Sequence, residues 1–547
     1  MKTIAVICAD FERSFLGLPS RLQEELCGET VIRRTIMQLR KTPRLASIHL
    51  LVDVSQEATA RSAVGDLDVS VETHQAGPPP WSRYVASGRK WSLDAWRGGL
   101  AGTMVYDETI HPWLLEALAR RESADAVIDV PATAPLLDPV LLGELVSYYE
   151  KIRDDVRLGL VQAAPGLSAA IYHPVFLAGL AEAAQPPGRV LAYHPEDPRH
   201  DAIHQPCWFA ADATIAHAWG RCIADTGTAI ARLHRAYRDL AGSNGETPDA
   251  LTVSRWLLDH RTEGLGSLPQ EVEIEITTDD PLADSPLRPR GTALGRRGVM
   301  DFEQYRRIID ELAACDDRLV VLGGFGDPLC HPQWPQFVQY ARNRGILGIA
   351  LRTTGVNLDA AAIDAMIACE LDVLNVLVDA ATPETYRKLH HSDNFERVVA
   401  NIEQLCCVQQ QRQAPRPLIV CEMIKTPESM DDVEPFYDRW MRQTGSAVIA
   451  GPSHYAGQWP DRAVVRMSPP SRSACVRLAK RAIILADGRM TLCDQDFRGQ
   501  HAIGSPAENG LAAIWHGPAL AEIRQKHADG AYHDLSLCHG CDEWHRP

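Results

Sequence analysis

Short apolar runs recur along the chain, and each is followed by a stretch whose apolar positions repeat at helical spacing. Ile4-Ala5-Val6-Ile7-Cys8, Ile48-His49-Leu50-Leu51-Val52 and Ala126-Val127-Ile128 lie in the first half; Leu319-Val320-Val321-Leu322, Gly348-Ile349-Ala350-Leu351 and Val373-Leu374-Asn375-Val376-Leu377-Val378 lie in the second. Such runs read as buried strands, and their alternation with amphipathic helices predicts parallel α/β architecture. Functional groups are then expected in the turns at the carboxyl ends of the strands. Thr382-Pro383 predicts a helix start, with a capping hydroxyl and a proline at the first helical position. Asp138-Pro139 offers the same device, which makes Asp138 a helix cap.

At 547 residues the chain exceeds one core, since single cores stop growing near ~250–300 residues. The expected division is 1–245, a helical linker over 246–270 with its helix near 250–265, then 271–465 and 466–547. Gly242-Ser243-Asn244-Gly245 and the Pro- and Ser-bearing stretch 459–473 are the expected loops between periodic segments. The net charge of −16, from 55 basic and 71 acidic groups, comes without a concentrated basic stripe and argues against a nucleic-acid partner. No apolar run has the ~18–20 residues of a spanning helix, and Asp10, Glu12 and Arg13 follow the first strand too soon for a signal peptide. A cytoplasmic protein is expected.

Fourteen cysteines are too few for a disulfide scaffold at this length. Most are single, or, like Cys406-Cys407, sit in a helical stretch as ordinary thiols. The tail differs: Cys475, Cys493 and the close pair Cys538-His539-Gly540-Cys541 form one candidate metal set. An iron-sulfur cluster, an all-cysteine zinc site and four buried thiols are the alternatives. The spacing is unlike two tight zinc knuckles.

Over residues 271–450 the turns resemble, in order, those of the radical S-adenosylmethionine enzymes. Gly323-Gly324-Phe325-Gly326-Asp327-Pro328 resembles the family's G-G-E-P turn, Arg352-Thr353-Thr354-Gly355 its T-N-G, and Val378-Asp379-Ala380 its S-x-D-A. The resemblance implies a partial barrel whose Gly323, Gly324, Gly326, Asp327, Thr353, Thr354 and Gly355 contact the cofactor. The loop Asp280-Pro281-Leu282-Ala283-Asp284-Ser285-Pro286-Leu287 resembles the family's C-x3-C-x2-C cluster loop with Asp280, Asp284 and Leu287 at the ligand positions. Two hard carboxylates and a leucine cannot reproduce thiolate ligation of iron. Loss of reductive cleavage is therefore expected, as is weakened binding of S-adenosylmethionine. The tail, with Ile503-Gly504 and Ile514-Trp515 between its cysteines, resembles the SPASM domain. By that resemblance Cys475, Cys493, Cys538 and Cys541 hold one 4Fe-4S cluster.

The first 245 residues resemble nucleotide-sugar cytidylyltransferases of the spore-coat polysaccharide type, which implies a nucleotidyltransferase-like Rossmann-type sheet. Leu18-Pro19-Ser20-Arg21 stands where that family writes its phosphate loop, leaving Arg21 as the cation, and Thr133 stands where its metal-binding Asp is expected. Three functions follow as expectations. The first is a silenced radical-type scaffold that binds a small-molecule or sugar-type substrate, passes electrons, or works with an active radical relative on a cell-surface sugar or precursor. The second is a nucleotidyltransferase with an accessory barrel. The third is a zinc-stabilised interaction protein.

Overall fold

The computed structural model describes residues 1–196, 206–240, 246–261, 266–295 and 297–546. The expected loop at Gly242–Gly245 lies outside these described residues. The chain divides into two compact units, Met1–Arg261 and Thr262–Pro547.

The first unit is built on a seven-stranded sheet. Its parallel part runs Ser70–His74, Leu45–Asp53, Thr3–Cys8, Ala126–Asp129, and the sheet continues through Ala170–Tyr172, antiparallel to its neighbours, then Leu158–Val161 and Trp208–Phe209. Ile4 to Ile7 are fully buried, as a strand covered on both faces requires. Asp138 caps the helix Pro139–Ile152 by accepting from Val140 N (2.8 Å) and Leu141 N (3.2 Å), and it also accepts from Ala250 N at 2.6 Å. That last bond ties in the helix Ala250–Asp259, which ends earlier than its periodicity predicts and whose Val253, Trp256 and Leu257 enter this unit's core.

The second unit contains an open nine-stranded sheet. Six parallel strands stand in chain order: Glu271–Ile274, Leu319–Leu322, Gly348–Thr353, Val373–Leu377, Leu418–Ile424 and Ala447–Ala450. On the free side of Glu271–Ile274 the tail adds Arg481–Ile484 in parallel, then Met490–Thr491 and Ala502–Gly504. The tail thus extends the same sheet. Thr382 Oγ1 accepts from Thr385 N (3.3 Å) to cap Pro383–His390, as its sequence predicts. No helix among the described residues is long and apolar enough to cross a membrane.

The first strand of this sheet has an unusual alternation. Val272, Ile274 and Ile276 enter the apolar core, while Glu271, Glu273 and Glu275 project from the opposite face. Each glutamate is met by an arginine from elsewhere: Arg481 on Glu271, Arg352 Nη1 on Glu273 at 2.9 Å, and Arg297 on Glu275 through Nε (2.8 Å) and Nη2 (2.9 Å). Glu275 also accepts from Phe325 N (3.2 Å) and Ala486 N (3.1 Å), and Arg297 donates to the carbonyls of Leu294 (2.9 Å) and Phe497 (2.6 Å). One buried ion pair therefore holds the loop after the first strand, the glycine turn and the tail.

Two predictions follow from these buried charges. Replacing Arg297 by Met leaves Glu275 buried without its cation, which costs about 3–5 kcal/mol; urea unfolding of R297M against wild type measures it, and E275M/R297M recovers much of the loss. Asp129, on a central strand of the first unit, is pushed up to about 7 by burial. Between the ordinary carboxylate range and that value the folded chain holds a proton that the unfolded chain has released, so this group's stabilisation is lost as pH rises through the window. Thermal melts from pH 5 to pH 8 should show a shallower fall for D129N than for wild type.

Candidate functional site

In the first unit, Ser20 Oγ donates to the Asp10 carbonyl (2.7 Å), which fixes the loop, and Arg21 Nη1 pairs with Glu24 Oε2 at 2.7 Å. The expected phosphate-binding cation is thus already bonded to a neighbouring carboxylate. Thr133 accepts through its carbonyl from Ala224 N (2.8 Å), next to Asp225. Asp225 is itself committed to Arg221, whose Nε donates at 2.8 Å and whose Nη2 reaches Glu108 Oε2 at 2.7 Å; Glu108 also accepts from Arg89 Nε at 2.9 Å. All four charges are buried. Burial opposes it, but Arg221 and Arg89 hold Glu108 below the ordinary carboxylate range.

In the second unit the carboxyl ends of the strands surround a cleft open to solvent. Gly324, Gly326, Asp327, Thr353 and Thr354 line it, so the structure gathers most of the residues singled out in the two turns. The glycines are required by a close approach: a Cβ on Gly326 would lie 2.2 Å from the Thr277 carbonyl oxygen, and Gly324, at φ +82°, would place one 2.7 Å from Glu275 Cβ. Asp327 accepts from Thr353 Oγ1 (2.9 Å), Thr354 N (2.9 Å), Thr354 Oγ1 (2.6 Å) and Leu329 N (3.0 Å). These side chains staple one turn to the other. Gly323 donates to Ile274 O (3.1 Å), and Gly355, at φ +77°, donates to Thr353 Oγ1 (3.1 Å); both shape the turns.

The positions of the loop that resembles a cluster loop go to three different surroundings. The Asp280 side chain is buried, accepts from Leu282 N (2.7 Å) and pairs with Arg290; Asp284 is exposed; Leu287 packs with Leu389 and Ile424. Between the last two, Ser285 Oγ meets His390 Nδ1 at 3.1 Å, and His390 Nε2 lies 3.5 Å from Asp379. This resembles a nucleophile–base–acid chain, but all three are buried away from the cleft wall, and the chain braces the loop. Arg288 and Arg290 do line the cleft; Arg288 pairs with Asp379 (3.3 Å) and Glu422 (3.6 Å). Sequence reading missed both arginines, although two cations directly after the loop were a visible signal.

The tail brings all four singled-out cysteines together. Cys475, Cys493, Cys538 and Cys541 line one pocket with Leu478, Leu492, Leu537 and Trp544. Burial pushes every thiol up, Cys538 to about 12 and Cys541 to about 11, and neighbouring cysteines add to the shift of Cys493, Cys538 and Cys541. Four thiolates here therefore require a bound cation's charge. Glu543 N donates to Cys541 Sγ at 3.3 Å. The residue set fits an iron-sulfur cluster. Arg477, Asp494, Gln495 and Glu543 line both this pocket and the cleft. Arg477 holds Asp494 through bonds of 2.7 and 2.6 Å to its two oxygens. Although burial opposes it, the Arg477 and Arg481 charges keep that carboxylate below its ordinary range. His527, unnoticed in the sequence, lies against the same pocket, and burial pushes it down to about 4.

Comparison with known proteins agrees with this second unit. Residues 283–412 match the Radical SAM superfamily, and residues 475–542, which include all four tail cysteines, match the SPASM iron-sulfur cluster-binding domain. An uncharacterized protein of Treponema pallidum (strain Nichols) is 26% identical over 300 residues, 53% of this chain and 82% of the relative. Among solved structures, BtrN in complex with AdoMet and 2-DOIA is similar at 15% identity and a TM-score of 0.35, covering 50% of this chain and 92% of BtrN. A cytidylyltransferase from Leptospira borgpetersenii serovar Hardjo-bovis (strain JB197) is similar at 13% identity and a TM-score of 0.33, covering 47% of this chain and 93% of its own. The chain thus carries a radical SAM superfamily segment followed by a SPASM iron-sulfur domain.

Proposed function

We propose that the chain holds one 4Fe-4S cluster, on Cys475, Cys493, Cys538 and Cys541, beside a barrel that has lost its radical cluster. The barrel binds a polar small-molecule or sugar-type substrate, which the protein positions or supplies with an electron, alone or with an active radical relative. The observation that carries this reading is the shared wall: Arg477, Asp494, Gln495 and Glu543 line both the cysteine pocket and the cleft. A bound cluster would supply one-electron chemistry beside residues that also line the cleft.

Loss of the radical cluster is supported by the loop itself. Its ligand positions carry no thiol, and the two carboxylates turn one inward to Arg290 and one outward to solvent. Arg288 and Arg290 bring two cations toward the cleft where the relatives' resemblance implies iron. Their pairing with Asp280, Asp379 and Glu422 suits a substrate recognised by many hydrogen bonds. Nucleotide transfer by the first unit is disfavoured, because Arg21 is paired with Glu24 and Thr133 offers no carboxylate where a metal-binding Asp is expected.

Anaerobically reconstituted protein should contain about four irons and matching sulfide per chain, as one cubane requires. C538A/C541A should lose most of that iron and its visible absorbance. About eight irons, or loss of the cluster in D280A/D284A, would refute the assignment. Incubated with dithionite and S-adenosylmethionine, the full chain should release no 5′-deoxyadenosine above a no-protein control. Stoichiometric release would mean that other thiols build a radical cluster.

A further inference from the structure

We propose that the His527 ring N–H is a hydrogen-bond donor to the Cys538 sulfur and sets the reduction potential of the tail cluster, an inference that rests on the iron-sulfur reading of that pocket. Cys541 Sγ accepts from a backbone donor, Glu543 N, at 3.3 Å. At Cys538 the described donor is a side chain: His527 Nε2 lies 3.4 Å from its Sγ. The tautomer is fixed by geometry, because the Cys475 backbone N–H points at His527 Nδ1 from 3.3 Å. A donor facing Nδ1 needs a lone pair there, so the ring proton sits on Nε2 and faces the sulfur.

The ring is held for this task. His527 is buried at the end of the helix Pro518–Ala528, and Tyr532 packs beside it with ring centroids 5.8 Å apart. Arg472 lies over that tyrosine at 4.1 Å and donates to the Cys538 carbonyl at 2.9 Å, which fixes the ring and the cysteine with respect to each other. An N–H bond to a ligand sulfur stabilises the extra negative charge of the reduced cluster and so raises its potential. His527 is therefore a positioning residue that acts through Cys538 and touches no substrate.

The test uses the full chain, reconstituted anaerobically, as wild type, H527F and H527Q. Iron and sulfide are counted, and the midpoint potential is read by titration followed with electron paramagnetic resonance. H527F should keep its iron and show a more negative midpoint, while H527Q, whose amide retains a donor, should fall between. An unchanged midpoint in iron-replete H527F overturns the proposal. Should H527F fail to hold iron, wild type enriched in 15N-histidine decides. A weak 15N coupling to the reduced cluster, as transferred through a hydrogen bond, supports the donor; no coupling, or one large enough for direct iron ligation, overturns it. Wild type that binds no iron refutes the reading of the pocket itself, an outcome distinct from a full cluster indifferent to His527.

Discussion

Three glutamates on one face of one strand set the terms for the second unit. Glu271, Glu273 and Glu275 cannot be taken into the interior without cations, and the chain answers with Arg481, Arg352 and Arg297 from three separate elements. Because each arginine arrives from a different stretch, satisfying the carboxylates also fixes the tail strand, the third strand and the loop in register with the first. The desolvation cost makes the arrangement intolerant of losing one partner, and its net stabilising value is modest compared with the specificity it imposes.

The same logic extends to the cleft. Asp327 uses its carboxylate to bind two turns together, and Asp280 uses its own to seat Arg290, so acidic groups that resemble ligands act as braces. What faces the cleft is a wall of paired charges with Phe325 and Tyr455 among them. Such a wall offers directional bonds with little net field, and it adjoins the thiols through the Arg477–Asp494 pair. The cysteine pocket and the cleft therefore share Arg477, Asp494, Gln495 and Glu543 in their walls.

Much of this could be read along the chain because it is local. Apolar runs located the strands, Thr382-Pro383 and Asp138-Pro139 located helix starts, and the tail cysteines proved to share a pocket. The glycines of the first turn were legible as glycines, but their reason, the Glu275–Thr278 backbone pressed against them, was not. The pairs Glu275–Arg297 and Arg481–Glu271, and the approach of His527 to Cys538, depend on contacts that no periodicity encodes. Asp280, Asp284 and Leu287 could be recognised as non-ligands by chemistry, but their separation into core, solvent and apolar contact required the fold.

The tail strand Arg481–Ile484 has a further consequence in time. It pairs with Glu271–Ile274, the strand that opens the unit, so that strand keeps one edge of unpaired backbone while the intervening residues are made. Such an edge is a template for wrong partners. The closing strand lies between Cys475 and Cys493, so whatever draws those thiols together also presents it in the right place. Until Arg481–Ile484 docks, the edge of Glu271–Ile274 stays open to other partners, so the length of chain between the two strands sets how long the unit is exposed to aggregation.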